Sequence, residues 1–383
     1  MNLTFFVFGR TPGLSHAELM SFYPDLEPVS NFGALVHSPV DPNQLITILG
    51  GVTKIAGVVG TLSEFTPEAV APFITSFDAD KKELVFGVNT YEKQLKISLS
   101  FLQSIKKIVQ ESGIRVRFIT HHNEGNQLST VVTTKQGAAE FHIFTRGNEL
   151  MVAKTIASQQ VESWVKRDRG RPYSDSKSGM LPVKVARMIV NIALGADAFG
   201  KTAADPFCGM GTIVGEIMAR GAKAIGSDIV DHVVANGKEN VLWLRRSIQL
   251  YGQSPVPVFY THDAVHFSTL VEPETVDAIV TEPYMGSSRI GEGVMESREK
   301  LKNTIKGLEK LYIGCLKNWS AALVTGGTVV IALPRYVVST GVFSVKSIID
   351  RCENLGYTKA LGPLEYSRPN AKVQREFFVF KKK

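Results

Sequence analysis

Residues 205–212 read Asp-Pro-Phe-Cys-Gly-Met-Gly-Thr, and they stand where a short apolar run, Thr202 to Asp205, gives way to a helical stretch. Glycines in such a turn let backbone approach a ligand, and a helix start offers N–H groups with no intrahelical partner. Strand, glycine turn and helix in this order point to an open α/β sheet that binds its ligand at the carboxyl ends of its strands. The downstream pattern agrees. The runs Ala222 to Asp228, Val256 to Asp263, Val276 to Thr281 and Gly327 to Leu333 alternate with helix-like stretches, as in a doubly wound parallel sheet. Ala360 to Tyr366 and Arg375 to Phe380, joined by SRPNAKVQ, then read as an antiparallel hairpin.

The first half has a different texture. LTFFVFG, KIAGVVGTL, ELVFGVNTY, IRVRFIT, AAEFHIFTR and ELMVAKTIA are strand-like, while Gln94 to Ser112 has apolar residues at helical spacing. An α+β region without a phosphate loop is expected here. Between the halves lies WVKRDRGRPYSDSKSGMLPVKVARMIVNIALG, a basic connector that passes into an amphipathic helix from about Pro182. With 383 residues, two domains are the natural division: residues 1–165 and, connector included, 166–383.

Hydrophobic residues make up 44% and charged residues 21%, the balance of a folded globular chain. No apolar run reaches the roughly 18 residues of a membrane span, and MNLTFFVFGR lacks the parts of an export signal, so the cytoplasm is the expected location. Cys208, Cys315 and Cys352 are widely spaced, which leaves neither a disulfide frame nor a cysteine zinc site; the adjacent His121 and His122 do not share a strand face. The net charge of +7 favours an acidic partner.

The acidic residue at the loop entrance decides between ligands. A dinucleotide loop holds a pyrophosphate, which Asp205 would repel; Asp205 suits a cation such as the ammonium of a methionine moiety. Gly209, Gly211 and Gly215 give GxGxxxG rather than the dinucleotide spacing GxGxxG. Phe207 and Thr212, within the motif, are further candidate pocket residues. Asp228 ends the next strand about 20 residues on, where a carboxylate can accept from both ribose hydroxyls. Asp263 ends FYTHD at the same sheet edge and could accept from an adenine amino group; a cap or surface turn is the plainer role for any one of these acids.

The fourth strand ends Thr281-Glu282-Pro283-Tyr284-Met285-Gly286. An aromatic-ring amine is a poor nucleophile, because its lone pair is conjugated, so its hydrogens must be accepted and its lone pair aimed. Glu282 and the Pro283 carbonyl could each accept one, and Tyr284 offers a face on which an extruded base could stack. The competing reading is a tight turn with Glu282 solvated. Cys208 has no histidine partner at any motif, which argues for a small buried side chain rather than a nucleophile.

DPFCGMGT, the acidic strand ends and TEPYMG together resemble the amino methyltransferases with a D/N-P-P-Y/F motif. With RDRGRPYSDSKSGMLPVKVARMIVNIA and the strand-rich first half, the chain is similar to the tRNA guanosine-10 N2-methyltransferase family, which joins a THUMP domain to a Rossmann-like methyltransferase domain. The resemblance implies S-adenosylmethionine as cofactor, held by Asp205, Gly209, Gly211, Asp228 and Asp263, with the helix near Pro182 beside its methionine end. It implies methyl transfer to a guanine N2 in tRNA, and RNA contacts through cations in the connector, where Lys166, Arg167, Arg169 and Arg171 interleave with Trp164 and Tyr173. Lys106, Lys107, Arg115 and Arg117 form a second basic cluster; surface salt bridges are the alternative use of either group. The departure lies in the catalytic loop, which the family usually spells Asp-Pro-Pro-Tyr-Gly. One register keeps the final glycine and puts Glu282 at the acid; the other puts Tyr284 at the aromatic. Adenine-N6 or cytosine-N4 methylation of DNA or rRNA, and a non-catalytic RNA-binding protein, are the other functions this loop chemistry allows.

Overall fold

The computed structural model describes residues 3–76, 83–121, 127–175, 180–247, 254–286, 298–338, 341–367 and 371–383. Two compact units divide the chain, Met1–Glu162 and Ser163–Lys383, so the division falls three residues before the expected border and inside a helix.

The first unit contains β1 (Thr4–Phe8), α1 (Pro12–Met20), β2 (Glu27–Ser30), β3 (Gly33–Val36), α2 (Pro42–Ile48), β4 (Val52–Leu62), α3 (Pro67–Thr75), β5 (Leu84–Thr90), α4 (Leu99–Glu111), β6 (Val116–Phe118), α5 (Thr130–Lys135), β7 (Ala139–Arg146) and β8 (Glu149–Ser158). The strands form one sheet in the order β2-β3-β1-β4-β8-β7-β5-β6, antiparallel except that β5 runs parallel to β7 and β6. Alternation sorts the side chains between two faces: Phe141, Ile143 and Val152 pack with α3 and α4, while Phe144, Met151 and Ala153 pack with Phe5 and Val7 behind. The expected helix 94–112 begins later, at Leu99, because the Ser98 side chain accepts from Phe101 N–H and caps it there. His121 is described and its ring lies 3.0 Å from the Val88 carbonyl; His122 is outside the described residues.

The second unit opens with α6 (Val161–Arg169), whose first residues belong to the preceding unit, and α7 (Val183–Leu194). Then come β9 (Thr202–Asp205), α8 (Thr212–Ala219), β10 (Lys223–Asp228), α9 (Asp231–Ser247), β11 (Val258–Thr261), a 3-10 turn (Ala264–Leu270), β12 (Val276–Thr281) and α10 (Arg298–Ala322). The unit closes with β13 (Leu323–Val338), β14 (Gly341–Ser344), α11 (Ser347–Arg351), a second 3-10 turn (Glu353–Leu355), β15 (Tyr357–Tyr366) and β16 (Val373–Lys382). The order is β11-β10-β9-β12-β13-β16-β15, with the first five strands parallel and β15 and β16 antiparallel beside them. This is the expected α/β architecture, a doubly wound sheet closed by a reversed hairpin. β13 differs from expectation: it is 16 residues long and pairs with β14, a short strand the sequence did not suggest.

From β9 the chain winds outward through β10 and β11, then returns to β12 on the other flank of β9. The reversal opens a crevice at the carboxyl ends of β9 and β12, where open α/β sheets take their ligands. β9, β12 and the middle of β13 are buried, as strands covered on both faces must be. Against one face lies a core of Phe267, Leu308, Tyr312, Leu316, Trp319, Ile331 and Tyr336, built mainly from α10 and β13. No helix among the described residues is long and apolar enough to cross a membrane.

Candidate active site

The crevice starts at Asp205, the last residue of β9, which is 1% exposed. Its Oδ1 accepts from Thr281 Oγ1 at 2.6 Å and from Phe207 N–H at 3.1 Å. The first bond ties the end of β12 to the end of β9, so the glycine loop and the TEPYMG loop leave the sheet side by side. Burial pushes the Asp205 carboxyl up to about 7; the two hydrogen bonds oppose the shift, and the charges of Asp228 and Glu282 add to it. Asp228 and Glu282 are therefore both within electrostatic reach of Asp205, and a cation beside it would relieve the repulsion.

The loop itself is built around glycine for two reasons. Gly209 and Gly211 have φ of 47° and 78°, in the left-handed region, and a Cβ on Gly211 would lie 2.8 Å from the Gly237 carbonyl oxygen of α9. Reciprocally, a Cβ on Gly237 would meet Gly209 O at 2.6 Å, so loop and helix touch backbone to backbone. Asn240 completes the seam by donating to Met210 O and Tyr173 O. α8 begins at Thr212 with no side-chain cap. Phe207 sets its ring edge-on to Trp319, facing the α10 side of the core. Cys208 is buried, and burial raises its thiol well above the ordinary range, in keeping with an inert packing role.

Asp228 is partly buried at the end of β10. Its Oδ2 accepts from Gly209 N–H at 3.1 Å and its Oδ1 from Val230 N–H at 3.1 Å, which orients the carboxylate across the loop. Ile229 follows at 67% exposure, giving an apolar surface next to the carboxylate that the sequence analysis did not single out. Asp263 caps the 3-10 turn through Val265 N–H at 3.0 Å, and it lies just past β11 at the same edge. The plainer capping role is thus present at Asp263. A carboxylate oxygen has more than one lone pair, so capping and ligand contact are compatible.

Glu282 is largely buried and ion-paired rather than merely solvated. Arg375 of β16 donates to its Oε1 from both Nε and Nη2 at 2.6 Å, with the two side chains 13% and 19% exposed for arginine and glutamate. The loop backbone is held from below by two buried phenols: Tyr312 donates to the Tyr284 carbonyl and Tyr336 to the Met285 carbonyl, each at 2.6 Å. The Tyr284 side chain is 59% exposed. None of the three supporting residues was expected. Arg375 and Tyr336 come from strands far along the chain, and Tyr312 sits in a helix where its spacing reads simply as core.

The connector cations separate into two kinds. Lys166 and Arg169 are exposed, with Lys166 Nζ 3.4 Å from the Ser247 carbonyl. Arg167 is buried: its Nη2 lies 3.1 Å from Glu216 Oε2, which Arg187 Nε also contacts at 2.7 Å, and the guanidinium stands 4.0 Å over the Trp164 ring. Burial lowers Arg167 to about 10 while Glu216 pulls the other way. Arg171 donates to Thr212 Oγ1 at 2.8 Å. The expectation that all four meet RNA phosphates therefore does not fit Arg167, whose charge is consumed inside the unit, and Arg171 and Thr212 are engaged with each other.

A cofactor bound here must suit a donor set of carboxylates. Asp205, Asp228, Asp263 and Glu282 gather at one edge, and a Cβ placed on Gly209 would meet nothing within 4 Å, so open space lies before the loop. The set fits a ligand with positive charge and hydroxyl or amino hydrogens and would repel a diphosphate.

No protein-family model matches the chain. Over 172 residues it is 34% identical to the tRNA (guanine(10)-N2)-dimethyltransferase of Methanothermobacter thermautotrophicus, a stretch covering 45% of this chain and 42% of that protein. The match thus spans less than half of the curated relative. Among solved structures, the fold is shared with TrmN from Thermus thermophilus, at TM-score 0.56 and 17% identity over 100% of this chain and 99% of that one. It is shared as well with a possible methylase from Clostridium difficile 630, at TM-score 0.52 and 12% identity over 100% and 98%. Both units of this chain fall within those alignments.

Proposed function

We propose that the chain is an S-adenosylmethionine-dependent methyltransferase that acts on the exocyclic N2 amine of a guanosine in tRNA, in the cytoplasm. The observation that carries this reading is the bond between Thr281 and Asp205, which sets the carboxylate-lined crevice beside Glu282, Pro283 and Tyr284. The 34% identity to a guanine(10)-N2 enzyme supports guanine N2 over adenine N6 or cytosine N4, and nucleotide 10 as the target.

S-adenosylmethionine supplies, when bound, a methyl group on a sulfonium. Asp205, Phe207, Gly209, Gly211, Thr212, Asp228 and Asp263 form its proposed pocket, with Asp205 toward the amino-acid end and Asp228 toward the ribose. Glu282 accepts one hydrogen of the guanine amine and the Pro283 carbonyl the other, which fixes the direction of the nitrogen lone pair. As the nitrogen gains the methyl group and the sulfonium S–CH3 bond breaks to leave a neutral thioether, the Glu282 carboxylate would stabilise the developing positive charge and accept the proton the amine loses. Tyr284, exposed at the mouth, stacks on the extruded base. The first unit is proposed to be a THUMP-containing RNA-binding region, and Lys166 and Arg169 remain the connector residues suited to phosphate contact.

The test is methyl transfer from labelled S-adenosylmethionine to tRNA, rRNA and DNA transcripts, with the modified nucleoside identified by mass spectrometry. N2-methylguanosine in tRNA is the expected product, and substitution of G10 should abolish it. Methyl-adenine or methyl-cytosine, or transfer to DNA alone, would replace this reading.

A further inference from the structure

The first unit and the connector leave unanswered how RNA beside the target base is held against the catalytic unit. We infer that a groove between α10 and β14 binds the sugar-phosphate strand of the RNA flanking the target nucleotide. This inference rests on the RNA-methyltransferase reading above.

The groove has a volume of about 370 Å³ and is lined by Lys302, Lys306 and Lys346, with Ile305, Val342 and Phe343 supplying apolar wall. All three lysines are exposed, and none has an ion-pair partner among the described residues. Lys302 and Lys306 are four residues apart on α10, a spacing at which like charges repel across one helix face. Exposed cations without an ion-pair partner repel one another mildly across the concavity, and a polyanion lying there relieves that repulsion. Apolar surface between the cations distinguishes the site from a simple charged face. Val342 is 56% exposed, and with the partly buried Phe343 it offers a place for a sugar or a base edge, as strand-tracking grooves do.

Position supplies the second argument. Phe343 is the register partner of Tyr336, and Tyr336 donates to the Met285 carbonyl of the catalytic loop. α10 makes the same connection from the other wall, because Tyr312 donates to the Tyr284 carbonyl. At 1.5 Å per residue, Lys306 and Lys302 lie about 9 and 15 Å along the helix from Tyr312. A strand held by these lysines thus lies against α10, which holds the catalytic loop directly, and against β14, which pairs with the strand β13 that holds it through Tyr336.

The experiment compares the full chain with a Lys302→Ala/Lys306→Ala/Lys346→Ala variant, using a fluorescent tRNA transcript titrated at several salt concentrations. The expected result is binding weakened about tenfold or more, with a slope of log K against log[salt] shallower by about 2, one phosphate contact per lysine. Adenosylhomocysteine affinity, measured by calorimetry, should be unchanged, and it certifies that the variant folds. The three single variants, each with a slope change below 1, keep the test open should the triple variant fail that control. An unchanged tRNA affinity and slope, with adenosylhomocysteine bound normally and the wild type still methylating tRNA, would overturn the groove and leave the enzyme reading intact. A wild type that neither binds nor methylates RNA would overturn both.

Discussion

Both nitrogens that Arg375 presents to Glu282 converge on a single oxygen: Nε and Nη2 each lie 2.6 Å from Oε1. The pair holds the carboxylate at Oε1 from a strand 93 residues away in sequence. Arg375 is a positioning residue in this arrangement, since it acts through Glu282. Arg375→Ala should lower the rate of single-turnover methyl transfer roughly 100-fold, the scale of loss from a misplaced reacting group. Adenosylhomocysteine affinity should stay within about twofold by calorimetry, because a carboxylate–arginine pair beside the acceptor is not a cofactor contact. Arg375→Lys should recover part of the rate, as one ammonium donor replaces the fork.

The two phenols beneath the loop carry a measurable share of stability. Tyr312→Phe and Tyr336→Phe each remove one donor from a loop carbonyl while preserving the packed ring. Each should cost about 0.5–1.5 kcal/mol in urea denaturation, the usual net worth of one hydrogen bond. A double variant with no loss in either stability or transfer rate would remove the phenols from the account of the loop.

Backbone contact between Gly237 and Gly209 leaves no room for a methyl group. Gly237→Ala should force the glycine loop off α9 and reduce adenosylhomocysteine binding at least tenfold, with an overpacking cost of about 1–3 kcal/mol. The same substitution at Gly307, whose Cβ would meet nothing within 4 Å, serves as the neutral control.

Asp205 gives the crevice a pH dependence. Its carboxyl is raised from 3.8 to about 7 by burial first of all, so the folded chain without cofactor holds this proton more tightly than the unfolded chain does. Its contribution to stability is therefore present below about 4 and is lost as pH rises toward 7. A cationic ligand favours the ionised form, so affinity for adenosylhomocysteine should rise with pH to about 7 and then level off, with proton release on binding near neutrality. Asp205→Asn should flatten the profile. Calorimetry in buffers of different ionisation enthalpy measures both, and a flat wild-type profile would detach Asp205 from the ligand.

Glu216 holds two arginines, and its loss should be structural rather than functional. Glu216→Ala leaves Arg167 and Arg187 buried without their shared carboxylate, at a cost of about 3–5 kcal/mol. Arg167→Ala should likewise act on thermal stability. A variant that retained its stability yet lost RNA affinity would restore Arg167 to the RNA surface.

Much of this was legible in the chain as written. Short apolar runs ending in acids mark parallel strands, because a strand buried on both faces must be apolar throughout and its carboxyl end must turn to solvent or ligand. That rule located β9 and β12; the exposed edge strand β11, and Asp205, Asp228 and Asp263, were legible from the acids that end the runs, and the hairpin from its turn. Helices α2 and α3 could have been found as well: Asp41-Pro42 and Thr66-Pro67 are cap-and-proline starts, and both side chains do cap. β2 and β14, four residues each, have neither a longer apolar run nor an acid-ended motif around them to mark a strand.

What the sequence by itself determined, then, is the run of elements and the residue types at the strand ends, because these depend on spacing within a few residues. Only the tertiary structure decided which charges serve the site and which serve the fold. Arg167, Arg169 and Arg375 are the same residue type in the chain, yet one is sealed against Glu216, one is exposed and one holds Glu282. The difference arises from sheet order and helix packing, which bring partners 49 and 93 residues apart into contact. The work of a charged side chain is set by its distance to other charges and its separation from water, and neither is a property of the sequence around it.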